Sequence, residues 1–236
     1  MKLHIAIASA LLILLVPGRC GAQGAEAWLD YIANWSPMGR WSFEANPGFS
    51  KGLAGDRWLD VYLTSTAAYQ AFNWISTDGN FEAHYTFDKS TENVLELRPW
   101  LGVNFIWPTY GEYLNVFYPA FSLRLEERFL WYQTSETQAT KTRARIRLST
   151  RFPLNNETLV TGTYYLLILA ETYVPLGGEA REVSADKRRF QVGLGYVFGS
   201  DLRIEFQYVN MRTRNSYLNK FETGSQIFWL AVKNFL

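Results

Sequence analysis

Between Phe121 and Phe152 the chain alternates apolar and charged residues, and this alternation constrains its fold more than any other feature. Phe121, Leu123, Leu125, Phe129 and Trp131 share one face, and Ser122, Arg124, Glu126, Arg128 and Tyr132 share the other. A second run repeats the pattern, with Ala144, Ile146, Leu148 and Phe152 set against Arg143, Arg145, Arg147, Ser149 and Arg151. A period of two is that of a β-strand with unlike faces. The polar stretch Gln133 to Thr140 between the runs reads as a hairpin loop. Two architectures share this pattern. In a soluble sandwich the charged face meets water, whereas in an outer-membrane barrel the apolar face meets lipid and the charges point inward.

The N-terminus favours the barrel. Lys2 is followed by an apolar run from Ile5 to Val16, too short to span a bilayer as a helix. A basic start, a short apolar core and small residues make a secretory signal, with Ala22 as its expected last residue. Ala27 is a second candidate cut, and Cys20 a lipoprotein alternative that Arg19 disfavours. Cutting after Ala22 leaves 236 − 22 = 214 residues without cysteine, so no disulfide staples the mature chain. Loss of Lys2 and Arg19 brings the charge to 21 − 22 = −1, which gives no field to attract nucleic acid. Aromatic residues make up 17% of the chain, as two membrane-interface belts would require. No later segment reaches the length of a membrane helix, so only a closed barrel would place this chain in a bilayer.

Three parts are expected: a signal at 1–22, an N-terminal periplasmic segment at 23–38, and a barrel at 39–236. Within the second, Glu26 to Trp35 reads as a short helix, from Trp28, Ile32 and Trp35 at helical spacing. The third yields ten strand candidates, with eight or twelve as alternatives, in a single antiparallel up-and-down transmembrane β-barrel. Asn46–Pro47–Gly48 reads as the break after the first strand, and Thr77–Asp78–Gly79 as a tight hairpin turn. Arg57 to Ile75 reads as two strands or as one with a bulge, and Pro99 marks a bulge in Asn93 to Trp107. Connections of alternating length and an even strand count would put both termini in the periplasm.

The segments LRLEERFLWY, RARIRLSTRFPL, LLILAETYVPL and RRFQVGLGYVFGSDLRIEFQYV, in that order, resemble a family of small bacterial outer-membrane β-barrels known only as a domain of unknown function. The resemblance covers roughly the C-terminal half. The closing IFWLAVKNFL is similar to a barrel-insertion signal, except that Leu236 follows the aromatic Phe235. The resemblance implies an outer-membrane location and no activity.

The candidate functional residues are those the alternation turns inward: Arg98, Arg124, Glu126, Arg128, Arg143, Arg145, Arg147, Glu171, Arg189, Arg203 and Glu205. Such charges must be paired or wet. They read as a salt-bridged plug or as a narrow, arginine-lined path for anions. The rival class is a lipid-modifying enzyme built on His84, the only histidine of the mature chain, but no Ser motif accompanies it. The expectation is a non-enzyme that needs no metal or cofactor. Its partners are outer-membrane lipid and, during assembly, the barrel-insertion machinery, and nucleic acid is not among them. Glu179, Glu182 and Asp186 read as a solvated outer loop.

Overall fold

The computed structural model describes residues 24–53, 58–89, 91–107, 119–176, 187–215 and 220–236. The expected signal, the loop acids Glu179, Glu182 and Asp186, and the Pro108 to Gly111 connection lie outside them. Among the described residues there is no helix. Eleven strands run in chain order as β1 (Ala25–Met38), β2 (Trp41–Gly52), β3 (Trp58–Phe72), β4 (Ile75–Asp88), β5 (Val94–Ile106), β6 (Ala120–Tyr132), β7 (Gln138–Pro153), β8 (Tyr164–Pro175), β9 (Lys187–Val197), β10 (Leu202–Asn215) and β11 (Lys220–Phe235). Each pairs with its sequence neighbours, and β1 closes the ring against β11. Closure leaves no sheet edge unpaired and rules out a two-sheet sandwich.

β1, the strand beyond the ten expected, is the segment that reads as a helix in sequence. Glu26, Trp28, Asp30 and Ile32 lie on one face and Leu29, Tyr31 and Ala33 on the other, so Trp28 and Ile32 share a strand face as readily as a helix face. The need to close the sheet decides between them, because without β1 the outer edges of β2 and β11 would both be open. The ladder between β1 and β11 is parallel, from Ala25–Gln226 to Asn34–Phe235. An odd strand count puts the two ends of the barrel chain at opposite rims, instead of both at the periplasmic side.

Two expected turns lie inside strands. Thr77, Asp78 and Gly79 belong to β4 and pair with Val103, Gly102 and Leu101; the chain reverses earlier, at Asn73 and Trp74. Asn46–Pro47–Gly48 lies within β2. The two prolines are accommodated alike. The β1–β2 pairing passes from Asp30–Gly48 to Ala33–Ala45, and the β5–β6 pairing from Leu97–Phe129 to Trp100–Glu126, so each ladder has a gap opposite the missing N–H without a change of register. Pro99 therefore marks no bulge. Within the stretch from Arg57 to Ile75 lies one strand, β3, with a register shift near Gln70 and Phe72. Connection length does not sort the rims, because the rim with the short turns at 39–40, 73–74 and 198–201 also carries 107–119 and 154–163.

The outer surface is apolar. Leu63, Leu101, Leu125, Leu148, Leu194 and Phe206 are all about half exposed or more, with Leu101 at 70%. Trp41, Trp74 and Trp107 stand exposed beside the rim with the short turns. Nearer the other rim Tyr85 packs edge-on against Phe87 at 4.5 Å, and Phe129 lies 6.3 Å from Trp131. The buried residues include Asp30, Glu82, Glu96, Glu126, Arg145, Glu171, Arg189 and Glu205. This is the inverse of a soluble protein, in which such charges are rarely inside.

Candidate functional site

The barrel interior holds one connected ion-pair network running from β3 to β9. It begins at His84, whose Nδ1 lies 2.9 Å from Asp60 and whose Nε2 lies 3.4 Å from Glu82. Glu82 also meets Arg98 at 2.8 Å and Arg124 at 3.7 Å. Arg98 reaches Glu96 at 2.8 Å and Glu126 at 3.1 Å, and Arg128 closes on Glu96 at 2.5 Å. Glu126, wholly buried, accepts from Arg143 at 2.5 Å and Arg145 at 3.3 Å. Arg145 bridges to Glu171 at 2.9 Å, which also meets Arg147 at 3.0 Å and Arg189 at 3.9 Å. Register explains the contacts: Glu126 pairs with Arg143, Arg147 with Glu171, and Glu171 with Arg189 across adjacent strands.

Nine of the eleven candidates from the sequence thus join one network. The other two, Arg203 and Glu205, lie apart, toward the rim where the chain ends. Glu205 accepts from Tyr165 at 2.7 Å, Gln207 at 2.6 Å and Lys233 at 2.9 Å. Arg203 instead lies over the ring of Phe235, 4.5 Å from its centroid.

The network does not fill the barrel. A cavity of about 790 Å³ runs along the β1–β4 side. It reaches Ser50 and Asp60, two residues from their strand ends at one rim, and Glu44 and Asp78, three residues from theirs at the other. Its two sides differ in charge. The acids that line it, Glu26, Asp30, Glu44, Asp60, Asp78 and Glu82, all stand on β1 to β4. Its cations, among them Arg124, Arg143, Arg147, Arg189 and Lys233, stand on β5 to β7, β9 and β11.

The family described as a protein of unknown function, DUF2490, matches residues 25–222. The chain belongs to that family. The match starts at the first residue of β1, so in DUF2490 this strand is part of the same domain as the strands that follow. No curated protein matches the chain in sequence.

The acidic side went unread in the sequence. Asp30 lay in a segment with helical spacing, Asp78 in an apparent turn, and Glu44 beside an apparent strand break. A strict period-two reading of residues 26–34 was the one signal that would have found Asp30. The enzyme reading of His84 meets a physical obstacle, since both ring nitrogens face carboxylates and neither faces a hydroxyl nucleophile. Among the described residues no His, Cys, Asp and Glu gather as a metal site would require.

Proposed function

We propose that this DUF2490 protein is an outer-membrane barrel of narrow-pore or transport type, with its charges lining the lumen. One observation carries the reading: apolar side chains cover the outside while arginines and glutamates line the inside. That arrangement suits surroundings of lipid and a wet interior. The ion-pair network serves as one rigid wall, and the cavity beside it as the path.

The test is purification from an outer-membrane fraction followed by reconstitution in planar bilayers. Heat-modifiable migration on a detergent gel and small discrete conductance steps are expected. A protein soluble without detergent overturns the location, and a folded barrel that never conducts overturns the path.

A further inference from the structure

Two arginines on the outer face stand apart from the ion-pair network. Along β9, Lys187 and Arg189 line the cavity, so Arg188 between them points outward, and it is exposed. Along β10, Met211 and Thr213 line the cavity, so Arg212 points outward too, and it is also exposed. The register sets Arg188 directly opposite Arg212, and Arg214 follows two residues on along the same face. All three stand toward the rim at which β1 begins, since β9 starts there and β10 ends there.

Like charges directly opposed on neighbouring strands repel. Every arginine of the inner network meets a carboxylate. Among the described residues, Arg188 and Arg212 meet a ring and an amide instead. Arg188 lies over Phe221, 3.9 Å from the ring centroid, and Arg212 Nε donates to Asn210 Oδ1 at 3.3 Å. These contacts hold both guanidinium groups in place and leave their charge uncancelled. The same outer face continues away from the rim as apolar surface, with Phe190 49% and Phe206 56% exposed. We infer that this patch binds an anionic lipid, its phosphate between Arg188 and Arg212 and an acyl chain against Phe190 and Phe206. Guanidinium groups bind phosphate oxygens through paired, charge-assisted hydrogen bonds, and basic clusters at a membrane boundary hold lipid headgroups in this way. A small dissolved anion would meet the charge and leave the apolar strip bare. The inference rests on the lipid surroundings proposed above and not on conduction.

The test uses the full barrel in neutral detergent and counts retained lipid by native mass spectrometry. The probes are dioleoyl phosphatidic acid and dioleoylglycerol, which share their acyl chains and differ in the phosphate. Phosphatidic acid should be retained about tenfold more than dioleoylglycerol. Arg188→Gln and Arg212→Gln should each lower that retention severalfold while the protein stays heat-modifiable. Arg40→Gln, in the β1–β2 turn at the opposite rim, should leave it unchanged. Equal retention of the two lipids, or retention of phosphatidic acid that survives both substitutions, overturns the inference. Release of the lipid by sodium phosphate at constant ionic strength also overturns it and assigns the patch to a dissolved anion. The lipid comparison uses the unaltered protein, so it stands even if a variant fails to fold. A protein soluble without detergent defeats the membrane location, whereas a detergent-bound barrel that holds both lipids alike defeats only this inference.

Discussion

Tyr62 donates its hydroxyl to Asp30 across the backbone of Gly48, although β3 and β1 are not paired strands. The three residues lie in one row, Asp30 opposite Gly48 and Gly48 opposite Tyr62. A Cβ at position 48 would collide with both side chains, so glycine makes room for a bond that spans three strands beside the closing seam. Gly48→Ala should therefore destabilise the barrel by about 1–3 kcal/mol through overcrowding. The temperature at which the compact gel form is lost should fall. An unchanged temperature would mean that the row does not hold the seam.

The two faces of β7 should respond oppositely to charge. Ile146 and Leu148 are exposed on the outside, while Arg147 reaches Glu171 at 3.0 Å inside. Ile146→Arg should cost roughly 2–4 kcal/mol in lipid near the midplane and deplete the protein from outer-membrane fractions. Arg147→Gln should assemble, because Arg145 still holds Glu171. Immunodetection of heat-modifiable protein separates the two, and the reverse outcome would place the charged face in water.

Glu126 is the most exacting member of the network. It is wholly buried and meets Arg98, Arg143 and Arg145. Glu126→Gln leaves three guanidinium groups crowded without their shared anion and should cost about 3–5 kcal/mol. Glu127, on the opposite face, accepts from Thr142 at 2.9 Å, so Glu127→Gln should change stability by less than about 1 kcal/mol. Urea titrations of the two variants in detergent give the comparison. Equal midpoints would show that the network contributes little.

His84 should matter for stability and not for lipid chemistry. His84→Gln loses one of its two carboxylate contacts and should lower stability by about 1–3 kcal/mol. The phospholipid and lipopolysaccharide profiles of cells carrying it, read by mass spectrometry, should match those of cells carrying the unaltered protein. A lost modification in that strain would restore the enzymatic reading.

Much of the barrel was legible because a strand with an apolar outer face and a charged inner one must alternate, and the alternation survives in β6, β7, β9 and β10 as plain sequence. The same rule turned eleven arginines and glutamates inward, since side-chain direction in a strand depends only on parity, but Glu26 and Glu44, which line the same interior, were not among them. It faltered where local signals contradicted the period. Asp78–Gly79 carries a strong turn signature, yet Asp78 is held inside by its register against Gly102. Pro47 and Pro99 look like breaks, yet each costs only a local gap in one ladder.

Periodicity thus determined the class of fold, the facing of the charges and the apolar outer surface, all of which are local properties of the chain. The strand count, the parallel seam and the opposition of acidic and basic sides were decided by the tertiary structure alone. Each depends on how the ring closes, and closure is a relation between β1 and β11, which lie about two hundred residues apart. The local spacing in β1 fits a helix and a strand alike; the open edges of β2 and β11 decide between them, and they exist only once the other ten strands have paired.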